Sequence, residues 1–387
     1  MIGRAYLDHN ATTPLRPEAR AALLAALDEG GNASSVHAEG RRARARIAAA
    51  RGPVAALCGL PAAGVVFTSG ATEALALALS PGFVPDDGPA PGILLASAVE
   101  HPAALRGHRF GAAVEILPVD AAGRLRLDAL ADALARHAAA GRRALVALMA
   151  ANNETGVVQD VAGALALARA HRAVMVCDAV QAAGRLDLPT LVAGVDAVCL
   201  SAHKVGGPPG AGALVLANPR ARLPALLSGG GQEQGRRAGT ENAPAIAGFA
   251  AAAACASRDL AAEAARLAGL RDRLEAGLTT ALPELTVFGA GISRLPNTSL
   301  VSFPGIRAET LVIRLDLAHI SVSAGAACSS GKVGPSHVLA AMGVPAEKAG
   351  GTIRLSLGWT SRDGDVERAV DALKRLVPQM QDGSRAA

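Results

Sequence analysis

Lysine is scarce in this chain. Of its 38 basic residues only Lys204, Lys332, Lys348 and Lys374 are lysines, and Lys204 is the only one in the first 331 positions. Arginine serves wherever a generic positive charge suffices, but it cannot release its proton to act as an amine nucleophile. Lys204 closes Ser201-Ala-His-Lys204 and precedes the rigid turn Gly206-Gly-Pro-Pro-Gly-Ala-Gly212, a setting suited to an imine-forming lysine. Earlier, Cys177-Asp178-Ala-Val-Gln181 puts a carboxylate at the end of an apolar run. An unpaired charge there costs several kcal/mol or shifts its pKa. A helix-capping Asp explains the position equally well until a cationic ligand is considered.

Thr68-Ser-Gly-Ala-Thr-Glu73 leaves an apolar run and opens a helical pattern. The first N–H groups of a helix lack intrahelical acceptors and can cup a phosphate, although such a turn alone is an ordinary connection. Together, a phosphate cup, a strand-end carboxylate and a reactive lysine meet the demands of pyridoxal 5'-phosphate. Its phosphate must be held, its aldehyde bound as an imine and its ring nitrogen kept protonated. A thiol lies far downstream: Cys328 sits in Ser323-Ala-Gly-Ala-Ala-Cys-Ser-Ser-Gly-Lys-Val-Gly334, among side chains too small to pack a core. Residues 323–337 are therefore expected to form a loop light enough to move. Gly325 to Lys332 imitates a P-loop, but five residues separate its glycines and Val333 replaces the required Ser or Thr.

Positioning these groups takes a sheet. Runs at 65–68, 93–97, 114–118, 144–149, 174–177, 197–201 and 213–216 are mostly apolar without alternation, as parallel strands buried on both faces should be. Helical patterns separate them at about 72–79, 101–110, 126–139 and 160–171. Farther on, the pattern predicts a long amphipathic helix at 260–278 with Ser257 as N-cap, a strand at 299–303 and a helix at 308–317. A strand at 352–357, a helix at about 363–377 and a disordered tail at 379–387 complete it. The fold class is α/β: a large domain, 15–255, with a mostly parallel mixed sheet, and a smaller α+β domain formed by 1–14 and 256–387.

Composition narrows the function. With 387 residues, 51% hydrophobic, the chain buries a large core and is long for one domain. Net charge is +5, but the cations are interleaved with acids and aromatics make up only 2%, which argues against a nucleic-acid face built on clustered cations and stacking rings. The densest cluster, Arg41-Arg42-Ala-Arg44-Ala-Arg46, reads as a solvated helix face. Cys58, Cys177, Cys199, Cys255 and Cys328 are widely spaced without a C-x-x-C pair, which speaks against a disulfide framework and a structural zinc site. All but Cys328 fall in apolar segments, where a buried inert thiol is the default. No apolar leader or bilayer-length run is present, so the expected location is cytoplasmic, without membrane attachment.

Ordered motifs run the length of the chain: Tyr6-Leu-Asp-His-Asn-Ala-Thr-Thr13, Asn32-Ala-Ser-Ser-Val-His37, Thr68-Ser-Gly-Ala-Thr-Glu73, Glu100-His-Pro102 and Asn152-Asn-Glu-Thr-Gly156. Asp178-Ala-Val-Gln181, Ser201-Ala-His-Lys204, Gly229-Gly-Gly-Gln-Glu233, Arg237-Ala-Gly-Thr-Glu-Asn242, Ala327-Cys-Ser-Ser330 and Ile353-Arg-Leu-Ser-Leu-Gly358 continue them. In these the chain resembles cysteine desulfurases of the NifS/IscS type, in the class V aminotransferase group of pyridoxal-phosphate enzymes with fold type I. The resemblance implies that Lys204 holds the cofactor as an imine, that Asp178 pairs with its ring nitrogen, and that Gln181 and Asn153 lie near its phenolate oxygen. His101 would stack on the ring and move protons. Ala71, Thr72, Ser201 and His203 would hold the phosphate, with Thr240 reaching across from a second subunit of an obligate homodimer. Arg354, assisted by Asn32 and Asn153, would receive the substrate's α-carboxylate.

The implied reaction takes L-cysteine to L-alanine. The Cys328 thiolate removes the sulfur as a persulfide and passes it to an acceptor such as an iron–sulfur scaffold protein, where Cys328 could transiently ligate iron. Ala33 replaces a proline usual in the family, His9 an asparagine, and Ala/Leu residues follow Glu73 where asparagines are common. None of these removes a catalytic group. A selenocysteine lyase, a class V aminotransferase and a catalytically inactive scaffold or regulatory binder are the alternatives. The intact Lys204, Asp178 and Cys328 speak against the last.

Overall fold

The computed structural model describes residues 3–325 and 336–385, so Cys328 and Lys332 lie outside the described residues. Seven strands form one sheet in the order Val65–Thr68, Gly212–Leu216, Ala197–Ser201, Val174–Asp178, Ala144–Met149, Ile93–Ser97, Val114–Leu117. Gly212–Leu216 runs antiparallel to both neighbours, and every other pairing is parallel. All but the edge strand Val114–Leu117 are buried along their whole length. That burial is why they read as unbroken apolar runs, and each lies within one residue of its expected bounds. Successive residues serve opposite faces: Val146 and Leu148 join one apolar cluster, Leu145 and Ala147 the other.

The connecting helices Ala71–Ala78, Leu127–Ala139 and Val161–Ala170 also match expectation, while the fourth is shorter, Pro102–Gly107. Two alanine-rich helices were not foreseen, Pro17–Glu29 and Ala243–Arg258. The second begins with a capping signal: the Asn242 side chain accepts the Ala245 N–H at 3.1 Å and Pro244 follows in the first turn.

A second sheet is antiparallel, in the order Ser323–Ala324, Thr352–Ser356, Thr298–Ser302, Thr286–Phe288. Helices Leu260–Ala281, Ala308–Leu317 and Asp363–Arg385 supply residues of its apolar cluster, and Ala5 and Leu7 join it from the other end of the chain. Ala5–Tyr6 pairs in parallel with Ile320–Ser321, which ties the N-terminal segment into this layer.

Two expectations are corrected here. Ser257 caps nothing: it lies inside Ala243–Arg258, and the break comes at Asp259, where the two helices meet at 75°. The tail is helical to Arg385, since Met380 packs on the same cluster and Gln381 Nε2 donates to the Pro304 carbonyl at 2.8 Å. Those contacts outweigh the N–H that Pro378 lacks within the helix. No single helix among the described residues is long and apolar enough to cross a membrane.

Candidate active site

The C-terminal ends of the parallel strands open into a cavity of about 420 Å³. Val174–Asp178 ends on Asp178, and Ala197–Ser201 ends on Ser201 and runs through a single 3-10 turn to Lys204. The turns after Val65–Thr68, Ile93–Ser97 and Ala144–Met149 bring Ala71 and Thr72, His101, and Asn153 to the same space. With Gln181, His203 and Arg354, ten of the expected site residues line it. Asn32 and Thr240 do not: both are exposed, and Asn32 Oδ1 accepts the nearby Ser34 N–H at 2.9 Å. Cys328 is outside the described residues.

Asp178 is 8% exposed, and its Oδ1 accepts the Val180 N–H at 3.0 Å. Burial raises its carboxyl to about 6, against that bond and the Lys204 charge. A cation brought into the cavity beside it would restore the ionised form. The Lys204 ammonium donates to the carbonyls of Asn10 and Ala11, the latter at 2.8 Å. Asn10 is itself fixed by the Asn153 carbonyl, Thr298 and Asn297 at 3.2, 2.9 and 3.0 Å.

His101 caps Pro102–Gly107 through Nδ1, which accepts the Ala103 N–H at 3.1 Å, so this geometry assigns the proton of the neutral ring to Nε2. Burial, then the Lys204 and His337 charges, push its pKa down to about 4. His203 is also pushed to about 4, by burial and then by Lys204 and Arg185. In the cup, Gly70 at the N-cap of Ala71–Ala78 makes no side-chain cap, leaving the first helical N–H groups for an anion. Glu73 accepts the Ser69 N–H at 2.7 Å and is held by Arg237 at 2.9 Å.

Arg354 is 2% exposed. It donates to the Asn153 carbonyl at 2.9 Å, Asp8 at 2.8 Å and Ser323 Oγ at 3.3 Å. Its buried Nε has no partner among the described residues, a donor left over for a ligand carboxylate. Gln181 donates to the Asn10 carbonyl at 3.0 Å and accepts from Arg185 at 2.5 Å. Residue-type reasoning missed Arg185, buried among carbonyls and pushed down to about 10 by that burial, and missed Asn10 and Ala11, whose backbone oxygens make the contact. The Tyr6 to Thr13 motif was the one signal that pointed to this stretch.

This donor set suits a ligand with a phosphate, a carbonyl and a basic ring nitrogen. Family comparison agrees: the model for Aminotransferase class-V matches residues 5–369. The chain belongs to the class V aminotransferase family. Within that family it is 43% identical to a cysteine desulfurase of Cereibacter sphaeroides, over 98% of this chain and 97% of that one. It is 39% identical to an IscS-like cysteine desulfurase of Mycobacterium tuberculosis, over 99% and 98%. A NifS-like protein from Rickettsia africae is 32% identical with a TM-score of 0.86, over 98% and 99%. The architecture is therefore fold type I, as expected. Among the described residues no group of three or more His, Cys, Asp or Glu side chains is arranged to hold a metal.

Two residues within the family motifs, Glu233 and His9, lie outside the cavity lining. Glu233, of the Gly-rich motif, is 6% exposed and clamps Arg51 at 2.8 and 2.7 Å while accepting the Phe67 N–H at 2.9 Å. It ties the segment carrying Thr240 to the strand that leads into the cup. His9, at a position where the family commonly has asparagine, is fully buried and does not line the cavity.

Proposed function

We propose that this protein is a cysteine desulfurase, taking sulfur from L-cysteine to leave L-alanine and a persulfide on Cys328. The convergence of Asp178, Lys204, His101 and Arg354 on one cavity at the strand ends carries this reading. Pyridoxal 5'-phosphate is the cofactor the site fits, and when bound it supplies an electron sink for the substrate's α-carbon. Ala71, Thr72, Ser201 and His203 would hold its phosphate, Asp178 would pair with its ring nitrogen, Asn153 and Gln181 would serve its phenolate oxygen, and Lys204 would anchor its aldehyde. Thr240, exposed on its own subunit, serves the phosphate site of a second subunit, so the active unit is a homodimer.

Arg354 receives the α-carboxylate through its open Nε, with Asn153 assisting from the same cavity lining. His101, neutral with its proton on Nε2, moves protons between substrate and thiol. The Cys328 thiolate attacks the substrate's sulfur: an S–S bond forms as the C–S bond breaks, and the electron pair leaves with the carbon, which is later protonated. The persulfide is then handed to an acceptor such as an iron–sulfur scaffold, in the cytoplasm. Residues 15–255 carry the groups that would hold the cofactor, while 1–14 with 256–387 add Asn10, Ala11 and Arg354 to the cavity lining and carry the thiol. Cys328→Ala should keep the cofactor's visible absorption but lose alanine and sulfide production. Continued desulfuration by that variant would overturn the assignment, and alanine formed without equivalent persulfide would point to a transaminase.

A further inference from the structure

Ser336 is the first described residue after 326–335. Its hydroxyl donates to Glu154 Oε2 at 2.5 Å and accepts the Leu339 N–H at 3.1 Å, so it caps His337–Ala341 while bonding a carboxyl far away in sequence. Glu154 and Ser336 are 3% and 5% exposed. The next residue adds a second pin, with His337 Nε2 lying 2.9 Å from the Glu100 carbonyl. Glu154 and Glu100 are the immediate chain neighbours of the cavity residues Asn153 and His101. On the other side of the Cys328 segment, Ser323 Oγ accepts from Arg354 at 3.3 Å and the Gly325 N–H bonds the Thr352 carbonyl at 2.9 Å.

Both flanks of the segment are thus bonded to the cavity residues or their neighbours. Packing alone gives no reason for a carboxyl at position 154. Burying one costs free energy that an apolar residue of similar volume would avoid, and such replacements are often neutral or stabilising. What the carboxyl supplies is a directional, short bond to one hydroxyl.

We propose that Glu154 and Ser336 are paired positioning residues for sulfur transfer, fixing the C-terminal flank of the Cys328 segment to the wall of the substrate cavity. The proposal rests on the desulfurase reading above. Cys328 precedes Ser336 by eight residues, which span at most about 28 Å when extended. The pin therefore sets the origin from which the thiol reaches the substrate.

The test uses the full-length, cofactor-loaded protein and compares Ser336→Ala, Ser336→Thr, Glu154→Leu and the Ser336→Ala/Glu154→Leu pair. Single-turnover persulfide formation on Cys328 is read by mass spectrometry, and cysteine binding by the change in the cofactor's visible spectrum. Iodoacetamide labelling of Cys328 in cofactor-free protein, read by peptide mapping, reports the thiol's setting without turnover. The expected result is a fall of about tenfold in persulfide formation for Ser336→Ala, with cysteine affinity within about twofold, recovery in Ser336→Thr, and a changed labelling rate. The double variant should be no slower than the worse single one, because both break one bond. An unchanged persulfide rate in Ser336→Ala, additive losses, or a loss confined to cysteine affinity would overturn the pin. Should Glu154→Leu fail to fold, the Ser336→Ala and Ser336→Thr comparison decides alone. A wild-type protein that forms no persulfide on Cys328 would instead sink the desulfurase reading.

Discussion

At the cavity, burial holds Asp178 at about 6 and depresses His101 and His203 to about 4; Glu154, next to the lining residue Asn153, is held at about 7, and both carboxyls stand above the usual carboxylate range. At the clamp beside Val65–Thr68, Glu233 is buried just as deeply, but Arg51 binds both its oxygens and the Phe67 N–H binds one of them again. Arg51 also stacks its guanidinium 5.0 Å from the centre of the Phe67 ring. The clamp is complete without any ligand; the cavity groups are held in protonation states that an incoming cation, anion or proton would change. Perturbed groups gathered in one cleft mark a functional site, and satisfied ones mark a joint in the scaffold. The joint also sustains left-handed backbone at Glu233 and Gln234, with φ of 47° and 59°. Such residues cost of order 1–3 kcal/mol each and persist only where surrounding contacts over-determine them.

The sharpest way to break this comparison is to substitute one residue from each side. Lys204→Ala should lower desulfuration on the order of 10⁴-fold or more and abolish the visible absorption of a lysine imine, with little loss in melting temperature. Wild-type-like turnover would remove the cavity from the chemistry. Arg51→Ala should do the reverse, since it strands a buried carboxylate. The expected loss is about 3–5 kcal/mol of stability in denaturant titrations, with turnover per folded molecule within a few-fold of the parent. A stability-neutral Arg51→Ala would mean the clamp holds nothing together.

The same contrast explains what could be read from the sequence. Val174–Asp178 and Ala197–Ser201 were legible because strands buried on both faces need unbroken apolar runs, Asp178 because charge at such an end demands a reason, and Lys204 because it is the only lysine in the first 331 residues. Pro17–Glu29 and Ala243–Arg258 were not, since alanine-rich stretches carry little periodic contrast. Asn10 and Ala11 act through carbonyls, which every residue has. Glu154 and Ser336 meet across 182 positions, so no local pattern announces them. Asn32 and Thr240 sit in recognisable motifs, yet the fold leaves both exposed and outside the cavity lining of their own chain.

His9 gives a finer test, because it is a buried titratable group that belongs to neither region. Its ring meets Tyr6 edge-on with centroids 5.2 Å apart, and its Nε2 lies 3.2 Å from Thr360 Oγ1. The fit depends on Gly358, where a Cβ would come within 2.0 Å of His9 Nδ1. Burial, then the charges of Arg185 and Arg266, push His9 from 6.5 down to about 3. The folded state thus keeps the ring neutral where the unfolded chain would protonate it. Its stabilising contribution is fully present above pH 6.5 and drains away as pH falls from 6.5 toward about 3. Asp178 and Glu154, whose carboxyls are raised, act with the opposite sign, so the profile of the native protein alone mixes the two. Comparing it with His9→Asn cancels them. The stability difference between the two proteins should be constant at and above about pH 8 and should move against the native protein by about pH 5, as read by urea titration. A difference that stays flat across that window would show that His9 does not carry this depression.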